Sequence, residues 1–408
     1  MHHLYLRFAG RACARVSAVV FVIVAMLLLT ERAANAYPWM IRHEYTGCSQ
    51  CHVDPSGAGL MTLYGRAQSE VLLRTRYSGG GGDVDPELGG LFFGAIPLPE
   101  KGIRAQIDGR ALLLHVAPPD PAPPIDRLIL MQADAQVGLE TDAVRASVSV
   151  GYTHEGALAA SVTRGEFDRL VSRQHWGGYA FGDDKQFLVR AGRMNLPFGV
   201  RLMEHTTWVR SLTRTDINAA QQHGAAFAYT GEKVRAEIMA VAGNFQLSPA
   251  DLRERGYSAY GEIAVSPTLA VGASSLVFHT ERDPAERVSA FRQAHGIFAR
   301  AVPWKPLVVL AEIDALVASP KRRPIQTGCA ALLQLDVEVV QGVHAIATGE
   351  LMDRTLADTP PSYGGWLSAQ WFLLPHVDVR VDGIVQSLGD GVNRLEVVSL
   401  LGQIHAFL

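Results

Sequence analysis

Apolar and polar residues alternate along most of the chain after residue 103. In the segment AVRASVSVGY, one side of an extended strand would carry the apolar residues Val144, Ala146, Val148, Val150 and Tyr152. The positions between them are arginine, serine and glycine. The segments LQLDVEV (333–339) and VDVRVDG (377–383) repeat this period of two, with charged residues on the polar side. Such alternation predicts β-strands with one apolar face and one polar face.

About sixteen segments of roughly ten residues show this pattern, and clusters of glycine, proline, asparagine and aspartate separate them. We therefore predict a mostly-β fold, a transmembrane antiparallel β-barrel of about 16 strands over residues 103–408. A β-propeller is disfavoured because no blade-length repeat is present. A soluble β-sandwich rarely needs so many strands. The aromatic Phe407 near the C-terminus is similar to the last-strand signal of outer-membrane proteins.

A barrel of this size encloses an aqueous lumen, so its inward side chains can be polar. We expect Val379 to face lipid, and Arg380 to face a water-filled lumen and to tolerate substitution. The arginine-rich stretch RAGRMNLPFGVRLMEHTTWVRSLTR (190–214) is too irregular for one strand. It predicts a strand, a turn at Pro197 and a loop. That loop either folds inward as a constriction or docking surface, or is solvated outside the barrel.

The first 36 residues have the features of a secretory signal peptide. Three arginines precede an apolar run at 16–29, and the small-residue sequence ANA ends at Ala36. The apolar run is shorter than the roughly 20 residues that cross a bilayer core, which disfavours an uncleaved anchor helix. We expect cleavage, a mature chain that starts at Tyr37, and no membrane helix after it.

Charge and cysteine content narrow the functional classes. The 408 residues carry a formal net charge of -3 with 19% charged residues, which gives no basic stripe for a nucleic-acid partner. Of the four cysteines, Cys13 leaves with the signal peptide and Cys329 lies in a strand-like stretch as a small hydrophobic residue. Cys48 and Cys51 form the pair that needs a chemical explanation.

The sequence CSQCH at 48–52 matches C-x-x-C-H, the attachment signature of c-type haem. Cys48 and Cys51 would bind two vinyl groups of the porphyrin, and His52 would ligate the iron. A thioredoxin-like redox pair would not need the histidine and would lie in a βαβ context. A zinc site would need a second ligand pair at suitable spacing, which is missing. We therefore predict one covalently attached haem c.

The sixth iron ligand has several candidates near the motif. His43 is the first choice, Met61 is the alternative, and Met40 also lies close in sequence. A methionine would raise the reduction potential relative to a second imidazole. Met61 could instead pack against the porphyrin, and His43 could bind a propionate. If no side chain occupied the sixth coordination position of the iron, that position would point to the binding of an external ligand and not to electron transfer alone.

A small α-helical module is predicted around the motif, at residues 37–78. The turn-forming sequence DPSGAG is followed by a short helical pattern, TLYGRAQSEVLL. Since about forty residues bury little core alone, the haem or a larger body must supply apolar contacts. Residues 79–102 begin with four glycines and predict a flexible linker to the barrel.

The order of signal peptide, haem motif, linker and barrel resembles the fused cytochrome-porins of bacterial outer membranes, a group that includes single-haem iron oxidases. The matching segments are CSQCH at 48–52 and the porin-like GRMNLPFGVR at 192–201. The resemblance implies a haem module that plugs or caps the barrel and passes electrons across the outer membrane. It also leaves open a role as an outer-membrane metal (iron) oxidase.

The leading hypothesis is thus electron transfer between an extracellular partner and a periplasmic carrier such as a soluble cytochrome. A second hypothesis is a diffusion porin in which the haem module plugs, gates or senses. A third is a soluble periplasmic cytochrome with a β-rich domain. Solute uptake would favour the second hypothesis, and release into the soluble fraction would favour the third.

Overall fold

The computed structural model describes residues 38–43, 47–75, 91–92, 95–99, 101–119, 121–153, 169–204, 206–356, 360–389 and 394–408. The predicted signal peptide and residues 79–90 of the predicted linker lie outside these residues. Over the described part of the chain, every helix is too short or too polar to span a bilayer.

The described residues form one antiparallel sheet of seventeen strands. The strands are β1 (Gly102–Ala117), β2 (Ile125–Glu140), β3 (Val144–Tyr152), β4 (Leu170–Val171), β5 (His175–Phe181), β6 (Phe187–Met194), β7 (Gln222–Thr230), β8 (Val234–Gly243), β9 (Arg255–Ser266), β10 (Leu269–Thr280), β11 (Ala290–Trp304), β12 (Leu307–Pro320), β13 (Gln326–Val340), β14 (Val343–Asp353), β15 (Ser362–Leu374), β16 (Val377–Gly389) and β17 (Arg394–Phe407). The helices are α1 (Leu63–Leu72) and α2 (Trp208–Thr213), with 3-10 turns at Pro38–His43, Cys48–Gln50 and Ala250–Leu252.

The sheet closes into a barrel of sixteen strand positions. Strand β1 pairs with β2 on one side and with β17 on the other, where Asp108 faces Phe407. The two-residue strand β4 precedes β5 along the same edge of β3, so the two together fill one position. Closure gives each of these strand positions a hydrogen-bonded neighbour on both sides along part of its length, and a sheet surrounded by lipid requires such pairing. The predicted 16-stranded antiparallel barrel is confirmed.

The two faces of the barrel differ in the way that the alternation predicts. On β3, Val148 and Val150 are 52% and 61% exposed, whereas Ser147 and Ser149 are each 1% exposed. On the other strands the exposed large side chains are likewise mainly apolar, whereas the buried interior holds many charged side chains together with large apolar residues such as Phe278 and Trp366. Because an apolar outer surface is stable in hydrocarbon and not in water, the barrel is built to span a membrane.

Loop length distinguishes the two ends of the barrel. Short turns such as 231–233, 305–306 and 341–342 join the strands at the end where β1 begins and β17 ends. At this short-turn end the exposed aromatic residues Trp304 and Trp371 lie at the rim, as expected at a membrane interface. Longer connections lie at the opposite end, which is therefore the extracellular end. Phe407 at the end of β17 is buried and points inward, in contrast to these rim residues.

The longest connection, residues 195–221, folds into the lumen. Val200 N donates to Glu312 Oε2 at 2.9 Å, and Trp208 N donates to Glu350 Oε1 at 2.6 Å. Gly199 has φ +58°, and a Cβ there would lie 2.0 Å from Glu312 Oε1, so only glycine fits. Of the two alternatives that the sequence left open for this stretch, the structure shows the inward one.

Arg380 does not face open water, so the expectation that it tolerates substitution is wrong. Its guanidinium lies 2.6 Å from Glu204 in the inward loop and 2.8 Å from Asp382, and it is 6% exposed. Removal of the arginine would leave two buried carboxylates without their partner, a change that typically costs about 3–5 kcal/mol. The sequence pattern predicts which way Arg380 points and does not reveal what it touches.

A charge on the outer face should cost more near the middle of the membrane than near its edge. Val381 is 58% exposed and is the fifth of the thirteen residues of β16, whereas Val379 is the third and lies closer to the short-turn end. We expect Val381→Arg to lower the free energy of unfolding by about 2–4 kcal/mol and Val379→Arg to lower it by less. Urea titration in lipid vesicles measures both values, with Val381→Leu as the control. Equal costs for the two arginines would contradict the assigned membrane position.

Candidate haem site in the barrel lumen

The N-terminal residues 38–43 and 47–75 lie inside the lumen and are anchored to its wall. Two buried ion pairs, Asp54 with Arg190 (2.6 Å) and Arg42 with Asp336 (3.2 Å), and a hydrogen bond between Glu70 and His376 (2.7 Å) fix them. Apolar side chains of this segment share one core with the inward loop and the wall, including Trp39, Ile41, Leu73, Val200 and Phe372. A segment too short to bury its own core thus obtains that core from the barrel.

The cysteine motif forms a tight turn. The amide groups of Cys51 and His52 both donate to the carbonyl of Cys48, at 3.1 and 2.9 Å. Helix α1 packs directly against this turn, since Thr62 N donates to Cys51 O at 2.9 Å and Thr62 Oγ1 caps the helix by accepting from Gly65 N. A Cβ at Gly65 would lie 2.2 Å from Cys51 O, so the helix can approach this closely only with glycine there.

A cavity separates this motif from the barrel wall. It has an empty volume of about 1370 Å³, including the part open to solvent. The N-terminal segment contributes Met40, Cys48, Cys51, His52 and Met61 to its lining. The wall contributes Arg110, Arg235, Tyr260, Glu262, Arg300 and His405, and the inward loop contributes Val200, Arg201 and Met203. The structure therefore brings the three predicted attachment residues together around one space inside the barrel.

The hydrogen bond that His52 makes at Nδ1 leaves its Nε2 available to a ligand. Its Nδ1 lies 3.3 Å from the carbonyl oxygen of Gly59. Because a carbonyl can only accept, Nδ1 carries the proton and the lone pair of a neutral imidazole resides on Nε2. Burial lowers the pKa of His52, which favours this neutral form. Backbone hydrogen bonds of this kind commonly fix metal-binding histidines.

The two thiols are free and neutral in the cavity. Burial raises the pKa of Cys51 to about 12, and the nearby Cys48 sulfur adds to the rise. Burial also raises the pKa of Cys48, although Arg300, Arg201 and Arg235 oppose the effect. Two uncharged sulfur atoms beside an apolar cluster fit thioether bonds to a porphyrin edge.

The wall beside Cys48 is basic. Arg235 lies 3.0 Å from Glu262, and Arg300 pairs with the same carboxylate. Arg201 stands over the Tyr260 ring at 5.9 Å, and its buried Nη2 has no hydrogen-bond partner among the described residues. Arg201 also interacts electrostatically with Glu237, so three guanidinium groups lie near two carboxylates here. Such an excess of positive charge suits a group that carries carboxylates, as haem does with its propionates.

The candidate sixth ligands lie in different places. His43 Nε2 is 3.3 Å from Glu338 Oε2, and the residue does not line the cavity. Met40 and Met61 do line it. Met61 forms an isolated antiparallel bridge with His52, so the two residues lie side by side. The structure therefore brings Met61 close to the attachment residues and holds His43 at the wall.

Sequence reasoning missed the residues that the wall contributes to the cavity. Arg235, Arg300 and His405 lie on strands far along the chain from the cysteine motif. Their period-two positions mark them as inward-facing. No local signal places them beside residues 48–52, because that proximity depends on how the N-terminal segment enters the barrel.

The barrel is similar in fold to outer-membrane proteins of known structure. Vibrio cholerae OmpT lacking loop L8 is 9% identical with a TM-score of 0.56, over 74% of this chain and 99% of that chain. An anion-selective porin from Comamonas acidovorans is 10% identical with a TM-score of 0.57, over 76% and 100%. Salmonella typhi OmpF in complex with daunomycin is 12% identical with a TM-score of 0.52, over 76% and 99%.

The chain therefore has the fold of a porin-like outer-membrane β-barrel. No protein-family model matches its sequence, and no curated protein matches it. At such low identity the likeness concerns the fold alone. The exposed apolar belt of the barrel agrees with it, and together they indicate a location in the bacterial outer membrane, in contact with its lipid.

Proposed function

We propose that the protein is an outer-membrane monohaem cytochrome-porin. It carries electrons between an extracellular donor or acceptor and a periplasmic carrier such as a soluble cytochrome. The observation that supports this proposal most is the placement of Cys48, Cys51 and His52 around one cavity inside the lumen. A diffusion porin without a haem module has no use for a haem-attachment motif at that position.

Different residues would hold different parts of the haem. Cys48 and Cys51 would tether it through thioether bonds, and His52 would bind the iron through Nε2. The bound group would supply one-electron oxidation and reduction. Buried apolar side chains around the site, including Leu73, Phe298 and Phe407, would exclude water from it. The barrel would insulate the whole site from lipid.

Partners would approach this site from opposite ends. At the loop end a second cavity of about 1720 Å³, including the part open to solvent, is lined by Ser211, Leu212, Arg214 and Arg292. The inward loop lines both this cavity and the haem cavity, so it lies between them. A metal ion or small redox carrier would enter from the loop end. A periplasmic carrier would reach the short-turn end.

The alternative is a diffusion porin plugged or gated by the N-terminal segment. The porin-like fold and the open cavity at the loop end favour it. A soluble periplasmic cytochrome is disfavoured because it would not expose so large an apolar surface. Electron transfer and solute uptake therefore remain the two functions to separate.

Reconstitution in sealed vesicles separates them. Vesicles with entrapped oxidised cytochrome c receive a membrane-impermeant reductant outside. We expect wild-type protein to reduce the entrapped cytochrome at least tenfold faster than the double variant Cys48→Ser/Cys51→Ser, because electrons need the tethered haem. Absorbance of the entrapped cytochrome reports the rate.

Swelling of the same vesicles in sugar solution provides the second readout. Equal reduction rates for wild type and variant would overturn the proposed conduit. Rapid swelling without electron transfer would establish the diffusion porin instead.

A further inference from the structure

A histidine of the last strand faces the same cavity as the haem-attachment motif. His405 lies two residues before the end of β17, is 7% exposed and points inward. It lines the cavity together with Cys48, Cys51 and His52. The wall therefore contributes a second imidazole to the lining of the cavity that His52 also lines.

The ring of His405 is held by a carboxylate. Its Nδ1 lies 3.0 Å from Asp378 Oδ2 on the neighbouring strand β16. Asp378 is itself fixed, because its Oδ1 accepts a hydrogen bond from Gln370 Nε2 at 3.0 Å. The carboxylate accepts from Nδ1–H, so the ring can use Nε2 as a ligand. A carboxylate, a histidine and a metal in this order form a recurrent arrangement at metal sites.

The Nε2 atom of His405 has no hydrogen-bond partner among the described residues. Two other buried histidines near this end of the barrel are engaged, His344 with Asp336 and Arg42, and His376 with Glu70 and Ser69. Neither of them lines the cavity. Of the histidines that the structure describes, His52 and His405 alone combine a cavity position with an unengaged Nε2.

The candidates near the motif fit the sixth position less well. Met61 and His52 are partners in an antiparallel bridge, and such partners project their side chains to the same side. Two axial ligands must instead approach the porphyrin from opposite faces. His43 is held by Glu338 outside the cavity lining. His405 reaches the cavity from the wall, and so can approach from a different side.

We infer that His405 Nε2 is the sixth ligand of the haem iron and that Asp378 is its positioning residue. This inference rests on the proposed haem attachment. The haem would then be tethered by the N-terminal segment and ligated by the last strand. Its iron would have two histidine ligands, which gives a lower reduction potential than a histidine–methionine pair.

Spectroscopy of the purified, haem-loaded full-length protein tests this inference. We expect His405→Ala to lose the low-spin signals in the visible and electron paramagnetic resonance spectra, and added imidazole to restore them. His405→Met should remain low-spin, gain a sulfur-to-iron charge-transfer band and have a raised midpoint potential. Asp378→Asn should keep both ligands and raise the potential, because a neutral amide makes the imidazole a weaker donor to oxidised iron.

Matched variants in the same assay are His43→Ala, Met40→Leu, Met61→Leu and Met203→Leu, all expected to keep the wild-type spectrum. Heat-modifiable gel mobility checks that each barrel folds. A wild-type spectrum in folded His405→Ala would overturn the inference and leave the proposed function standing, as would loss of a sulfur-to-iron band in one of the methionine variants. Absence of covalent haem from the wild type would overturn both.

Discussion

Replacing Cys48 and Cys51 together with serine is expected to abolish covalently bound haem and leave the barrel folded. Serine preserves the size of each side chain and cannot form the thioether bond. The barrel should survive because its strands satisfy one another's backbone hydrogen bonds without any cofactor. Haem absorbance of purified protein after denaturation and acid–acetone extraction should fall below a hundredth of the wild-type value.

Each single cysteine variant can still form one thioether bond, so its haem content provides an intermediate for comparison. Ser49→Ala is the matched control, because Ser49 lies in the same turn, between the two cysteines and outside the cavity lining, and this variant should keep full haem content. Haem that resists extraction from the double variant would contradict the assigned attachment.

Loss of Arg190 should release the N-terminal segment from the lumen. Arg190 is 1% exposed and joins Asp54 of that segment to Glu237 of the wall, at 2.6 and 2.5 Å. Arg190→Met would leave both carboxylates buried without a counter-charge, at a cost of about 3–5 kcal/mol. That corresponds to about a hundredfold or more in the docking equilibrium. Single-channel conductance in planar bilayers should rise as the lumen opens.

Replacing the two carboxylates with neutral amides should reverse the rise in conductance caused by Arg190→Met. In Arg190→Met/Asp54→Asn/Glu237→Gln no buried charge is left, so conductance should return towards the wild-type level. Protease digestion of the N-terminal segment gives an independent measure, and it should be fast in the single variant and slow in the triple variant. Unchanged conductance and digestion in Arg190→Met would show that this ion pair does not hold the segment in place.

The sequence predicts the barrel well because one side of a strand faces lipid and the other faces the lumen. The alternation of apolar and polar residues reflects this difference. Val148 and Ser147 were assigned to opposite faces from the pattern, and the structure agrees. The inward course of the loop after Pro197 was one of two alternatives, since an arginine-rich stretch suits both a lumen and an extracellular surface. The resemblance to fused cytochrome-porins is supported for its barrel, and its haem part stays a prediction.

The sequence predicts less of the site because the wall contacts join distant residues. Arg42 and Asp336 are 294 positions apart and meet only when the N-terminal segment enters the closed barrel. Arg380 shows the same difficulty, because its position on a strand predicts an inward direction and gives no sign of Glu204. His405 also lies outside any sequence motif that would mark it as a ligand. Its relation to His52 depends on barrel closure between β1 and β17.

The most direct test of the central claim, a covalent haem carried inside an outer-membrane barrel, is a haem-stained gel of purified outer membranes. Unheated and boiled samples of cells that produce the wild-type chain are run side by side. A folded barrel migrates differently from the boiled chain, so one haem-stained band should change mobility on boiling and keep its stain. Absence of stain from the heat-modifiable band, or stain only in a soluble fraction, would contradict the account.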